Sequence, residues 1–277
     1  MALLDSEKKE LIDFARDIRK QTLLCIGTLG VGHIGGSLSI ADILSYLYTK
    51  GMKVDSNNPL WEGRDYLVLS KGHSGPALYS TLALKGFFSM DLLSTLNKGG
   101  TLLPSHCDRT KTPGIDMTTG SLGQGLSAAS GIALAHKLSK KPNFVFAIIG
   151  DGESEEGQNW EAAMAASHYG LDNLIAFTDN NKMQIDGLTK DVLGVEDLVA
   201  KWKAFGWNAV RINGHDFDDI DRAVTDAKRQ NGKPTMIIAD TVKGKGGGAR
   251  FENQVSSHNA QLTLDEAKEI IKEALNG

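Results

Sequence analysis

Cysteine is scarce in this sequence, with Cys25 and Cys107 the only two among 277 residues. Neither the density of a disulfide scaffold nor the spacing of a metal-binding knuckle is present, so reduced intracellular thiols are expected. No apolar run approaches the roughly 20 residues that span a bilayer. The opening stretch, MALLDSEKKELIDFARDIRK, is charged and amphipathic where a signal peptide carries an apolar segment. An excess of one charge is missing too: 30 Lys and Arg against 34 Asp and Glu leave a net charge of -4, and apart from Lys243 and Lys245 the cations are scattered. That argues against nucleic-acid binding. No G-x-G-x-x-G follows the first strand-like run, which argues against a dinucleotide-binding oxidoreductase. What is present, 41% hydrophobic and 23% charged residues, describes an ordinary globular chain with a substantial core. A cytoplasmic location with no membrane association is the expectation.

Short apolar runs rich in β-branched and aromatic residues recur at 66–70, 144–150, 174–179, 208–212 and 235–241. Segments of helical spacing lie around them, at about 6–26, 39–50, 121–139, 155–169, 195–205, 217–229 and 263–276. Runs apolar on both faces and alternating with helices predict an α/β fold, a mainly parallel sheet flanked by helices on both sides. The glycine-rich GTLGVGHIGGSLS at 27–39 reads as a joint between two N-terminal helices, and one compact domain over 1–277 is expected. Such sheets place ligands beyond the carboxyl ends of their strands. Asp151 and the pair Asn180–Asn181, each at a strand end, should share that rim.

Asp151 lies in FAIIGDGESEEGQNW, residues 146–160, between two glycines. Gly-Asp-Gly alone is a turn. Here a helix-like and then a strand-like segment follow, so that Asn181 arrives 30 residues later and one strand over. A hard divalent cation takes oxygen ligands and is commonly completed by a substrate's phosphates. A carboxylate, an amide oxygen and a main-chain carbonyl would supply part of that shell. Gly152 lets its N–H approach a phosphate without a Cβ in the way, and the following helix offers its N-terminus to an anion. Glu153 and Glu155 read as ordinary helix-start charges.

The GDG-to-NN span resembles the thiamine-diphosphate binding motif, and its flanks resemble the N-terminal half of transketolase. GHIGGSLS (32–39), DYLVLSKGHSGPALY (65–79), LPSHCDR (103–109), PGIDMTTGSLGQGLSAASGIALA (113–135), GDGESEEGQNWEAA (150–163) and DNNKMQIDG (179–187) run through nearly the whole chain in the family's order. The resemblance implies the diphosphate-binding (PP-type) domain of that fold, with thiamine diphosphate as cofactor. Magnesium, with calcium or manganese as substitutes, would be held by Asp151, Asn181 and the backbone carbonyl of Met183. It implies that His73 serves the diphosphate, His106 the C1 hydroxyl of the donor sugar, and His33 with His258 the C3 hydroxyl and its proton transfer, with His258 also beside the cofactor. The loop before His258, GGGARFENQVSSHNAQ, departs from the shorter pattern of complete transketolases. Gly120 would approach the aminopyrimidine, with Leu122 against the rings. Glu156 and Glu161 match acidic residues joining two active sites at a dimer interface; helix surface charge is their alternative reading. His136, His168 and His215 are assigned structural roles.

In the family, a glutamate on a second α/β domain completes the cofactor site, and no second set of strands and helices follows here. The resemblance therefore implies a split transketolase, an α2β2 heterotetramer in which this chain is the N-terminal subunit. A separate partner chain would supply the pyrimidine-binding half. The activity implied is transfer of a two-carbon ketol unit from a ketose phosphate to an aldose phosphate, as in the pentose phosphate pathway. A deoxyxylulose-phosphate synthase-like subunit, another thiamine-diphosphate enzyme acting on 2-oxoacids and a non-catalytic cofactor-binding partner are the alternatives.

Overall fold

A computed structural model describes residues 3–229 and 232–275; the expected helix end at 276 and the outer limits of the 1–277 domain lie outside them. The principal elements, in chain order, are α1 (Asp5–Leu29), α2 (Ile34–Ser39), α3 (Ala41–Tyr46), β1 (Tyr66–Leu69), α4 (Gly75–Leu84), α5 (Gln124–Leu138), β2 (Val145–Gly150), α6 (Gly157–His168), β3 (Leu174–Asn180), α7 (Leu198–Ala204), β4 (Asn208–Asn213), α8 (Phe217–Arg229), β5 (Thr235–Asp240) and α9 (Leu264–Ala274). The five strands form one parallel sheet in the order β1-β2-β3-β5-β4.

Alternation along the strands sends successive side chains to opposite faces, and each face has its own apolar layer. Phe146, Ile148, Ile175, Phe177 and Ile237 point into a layer with α1 to α4, α8 and α9. Val145, Ala147, Ile149, Ala176 and Ile238 point the other way, against α5, α6 and α7. Both faces are therefore covered, as the continuous apolar runs predicted. Among the described residues, no helix is long and apolar enough to cross a membrane.

The N-terminal joint departs from expectation. GHIGGSLS is not a loop: Ile34–Ser39 is helical and wholly buried, with α3 and a π-helical turn at Leu47–Gly51 continuing after it. Close approach is the reason. A Cβ on Gly35 would lie 2.3 Å from Ser257 Oγ and 2.8 Å from Lys243 Cγ, so small residues let the helix touch the segment that carries His258. Helix α4 also escaped the periodicity, because nearly every side of it is buried.

Candidate active site

Register brings the expected rim together. Gly150 of β2 pairs with Asp179 of β3, and the chain turns immediately afterwards at Asp151 and Asn181. Lys182, in the left-handed region at φ 65°, aims its N–H at Asp151 Oδ2. Asp151 Oδ1 accepts from Gly152 N at 2.8 Å, and Asn181 Oδ1 accepts from Met183 N at 3.1 Å. A short ribbon, Met183–Gln184 against Gly187–Leu188, closes the turn.

These residues line a cleft of about 180 Å³ together with Lys71, His73, Leu122, Glu156, Lys243 and His258. Asp151 is 2% exposed and has no side-chain cation bonded to it. Burial, reinforced by the charge of Asp179, pushes its carboxyl up to about 7. Lys243 Nζ donates to the Met183 carbonyl at 3.1 Å and lies 3.3 Å from His258 Nδ1; burial brings this amine down to about 8, against the pull of Asp151. A buried carboxylate with no cation bonded to it and the main-chain carbonyl of Met183 border the same cleft, and both are oxygen donors of the kind a hard cation takes. Among the described residues no group of three or more His, Cys, Asp or Glu is placed to hold a metal, so the donors available are one carboxylate, one amide oxygen and one main-chain carbonyl, the oxygen set suited to a hard ion.

His33 stands at the centre of four imidazoles, its ring centroid 5.1 Å from His73, 5.5 Å from His258 and 5.9 Å from His106. His73 and His258 are 5.1 Å apart. Burial, and then the neighbouring cations, hold His73 well below its ordinary value and His258 down to about 4; burial, His106 and Lys243 also lower His33. These three rings are neutral near pH 7, so each offers one donor and one acceptor.

The family model described as the thiamine diphosphate binding domain of transketolase matches residues 11–275. The chain belongs to the transketolase family. It is 57% identical to the 6-deoxy-6-sulfo-D-fructose transketolase subunit SqwG of Clostridium sp. (strain MSTE9), over 98% of each chain. It is 39% identical to an apulose-4-phosphate transketolase subunit of Phocaeicola vulgatus, over 92% of this chain and 90% of that one. A transketolase structure from Campylobacter jejuni superposes with a TM-score of 0.90 at 32% identity, covering 97% of this chain and 44% of the other. The chain thus spans nearly all of two transketolase subunits and less than half of a long-chain transketolase.

The transketolase resemblance singled out residues that the fold gathers unequally. Asp151, Gly152, Asn181, Met183, His73, His258, Leu122 and Glu156 border the main cleft. His33 and His106 join it through the imidazole cluster, and Gly120 lies beside His106, where an added Cβ would be 3.5 Å from the ring. Glu161 lies apart, against the α5–α6 face. The Gly152 amide is engaged by Asp151, and a Cβ there would meet Gln184 Oε1 at 2.9 Å, so that side chain would have to shift. Of the histidines read as structural, His168 is exposed, His136 packs 4.8 Å from Tyr66, and His215 bonds Asp42.

Three charged residues of this site were not singled out by the sequence reading. Lys71, 2% exposed, donates to Asp179 Oδ2 at 2.6 Å and to the Gly36 carbonyl at 2.7 Å. Lys243 was noted only with Lys245, as a local pair of cations. Glu153, read as an ordinary helix-start charge, is buried; donors from just past β1, the end of β2 and the loop before α5 surround it. Proximity of Lys71 to GHS and of Glu153 to GDG was the available signal.

Proposed function

We propose that this transketolase chain, as one diphosphate-binding domain, holds thiamine diphosphate and a divalent cation and acts with a second chain that carries the pyrimidine-binding half. The observation that carries this reading is the match over 98% of both chains to a transketolase subunit, set beside coverage of 44% of a long-chain transketolase. Asp151, Asn181 and the Met183 carbonyl would hold magnesium, or calcium or manganese in its place. His73 and the Gly152 turn would face the diphosphate, and Gly120 and Leu122 the rings. Bound thiamine diphosphate supplies the nucleophilic carbon that accepts and hands on a two-carbon ketol unit. His33, His106 and His258 would orient the sugar hydroxyls and move their protons, a task for which an imidazole's two ring nitrogens are suited.

Exposed apolar side chains at the cleft, Leu122 at 36% and Ile185 at 66%, support a partner surface at its mouth. Exposed Glu156 and Glu161 would lie where two copies meet in an α2β2 assembly. For the donor sugar we extend the name of the 57% identical relative to this chain: 6-deoxy-6-sulfo-D-fructose, a ketose whose tail is an anion, rather than a sugar of the pentose phosphate pathway. Purified chain, alone and with its partner, should be given magnesium, thiamine diphosphate, an aldose phosphate acceptor and a panel of sulfofructose, fructose 6-phosphate and xylulose 5-phosphate. Sulfofructose should be consumed by the complex alone. Robust turnover by the isolated chain would overturn the two-chain reading, and preference for fructose 6-phosphate or xylulose 5-phosphate would overturn the substrate.

A further inference from the structure

Glu153 is 3% exposed, and its carboxylate collects donors from three separate segments. Gly150 N, at the end of β2, donates to Oε2 at 2.9 Å. Gly123 N, in the loop before α5, donates to Oε1 at 2.8 Å, and the Ser70 hydroxyl, just past β1, donates to the same oxygen. From α6, Asn159 Nδ2 donates to the Glu153 carbonyl at 2.6 Å. A carboxylate taken out of water is costly unless its oxygens are satisfied, and here the satisfying groups all belong to segments around the cleft.

The loop that receives this carboxylate has little freedom of its own position. Gly123 sits at φ 87°, where a Cβ would also lie 2.8 Å from Glu156 Cβ, and a Cβ on Gly125 would lie 2.3 Å from Ser70 Oγ. We propose that Glu153 is a positioning residue whose carboxylate fixes the 120–123 loop and the end of β1 to the Asp151 turn, so that Gly120 and Leu122 are already in place when the cofactor arrives. The proposal rests on the reading of those two residues as facing the cofactor rings.

Glu153→Gln tests it, because an amide cannot accept from all three donors: its NH2 must face either the Gly150 or the Gly123 N–H. Hydrogen exchange on the full chain without ligand should show the 119–125 amides opening about tenfold faster, the scale of one buried donor left unpaired. Amides of α1 and β4 should be unchanged. Calorimetry with thiamine diphosphate and magnesium should show affinity weakened by about tenfold on the same grounds. Ser70→Ala, which keeps the carboxylate and removes one donor, should move both readouts in the same direction by about threefold. Wild-type exchange at 119–125 in Glu153→Gln, or acceleration spread evenly over the chain, would overturn the proposal. Should Glu153→Gln fail to fold, unchanged exchange in Ser70→Ala would do so. Should the wild-type chain bind no thiamine diphosphate, the cofactor reading falls and with it the stated purpose of the clamp, while the exchange result still decides whether the clamp exists.

Discussion

Two aspartates one strand apart have opposite surroundings. Asp179, within β3, and Asp151, just past β2, are 0% and 2% exposed, and the Asp151 N–H donates to the Asp179 carbonyl at 3.2 Å. Asp179 is saturated: Lys71 Nζ at 2.6 Å, Ser39 Oγ at 2.7 Å, Asn181 Nδ2 at 3.0 Å and the Thr241 hydroxyl all donate to it. Burial would raise its pKa, but the Lys71 charge and these hydroxyls outweigh that and hold it below the usual carboxylate range. Asp151 has two backbone amides and no bonded cation, and it is pushed up instead. Equal burial thus yields a finished structural ion pair at one strand end and, at its neighbour, a carboxylate that still lacks a positive partner.

Breaking the finished pair should have the largest effect. Asp179→Ala strands a buried ammonium at Lys71 and should destabilise the chain by about 3–5 kcal/mol, read as a lowered urea midpoint; a loss below about 1 kcal/mol would put Asp179 on a par with a surface charge and end the contrast. Asp151→Ala should do the reverse, leaving the fold intact while weakening magnesium-dependent thiamine diphosphate binding by about 2–5 kcal/mol, the usual cost of truncating a buried charge contact. Calorimetry checks it, and unchanged affinity would remove Asp151 from the cation site.

The cleft histidines sharpen the contrast further, since no bonded carboxylate offsets the burial of His33, His73 or His258. His106→Ala should lower turnover of the assembled enzyme by about 100-fold, the low end for lost acid–base assistance, with a smaller change in cofactor affinity. The opposite pattern would move His106 from the donor sugar to the diphosphate.

How much of this was legible in the sequence follows from where each signal resides. The strands were placed to within a residue or so: β1, β2, β3 and β5 because their runs are almost wholly buried, and the edge strand β4, half exposed, from its short apolar run; α8 was placed at 217–229 as observed because its apolar stripe faces one side. Helix α2 was unreadable from periodicity: its glycines and serines mark tertiary closeness to Ser257 and Lys243. Asp151, Asn181 and the four loop histidines could be found because they stand in contiguous motifs. Lys71, Asp179 and Glu153 differ in that their burial is made by partners 30 to 140 residues away, and a one-dimensional reading sees only charges near a turn.

A second completed carboxylate lets the contrast be tested away from the cleft. Asp42 on α3 takes Arg19 Nη1 at 3.0 Å and Nη2 at 2.5 Å, and His215 Nδ1 lies 2.6 Å from Oδ2. Because His215 Nε2 accepts the Val242 N–H at 2.8 Å, Nδ1 must carry the proton and donate it to Asp42. Burial opposes ionisation of Asp42, but Arg19 and then His215 prevail and hold it well below the ordinary value of 3.8. A depressed carboxylate contributes stability that is fully present above its unfolded pKa and is lost as pH falls through the folded one, so this network should hold at neutral pH and fail in strong acid. His215→Ala removes one donor to Asp42 and the acceptor of Val242 N–H, and should cost about 1–3 kcal/mol at neutral pH. Because it withdraws part of what depresses Asp42, the variant should also lose less stability than the wild type between neutral pH and acid, measured as urea midpoints across that range. Parallel pH curves would mean that Arg19 alone sets the Asp42 charge and that the imidazole serves only to fasten the 242–246 loop.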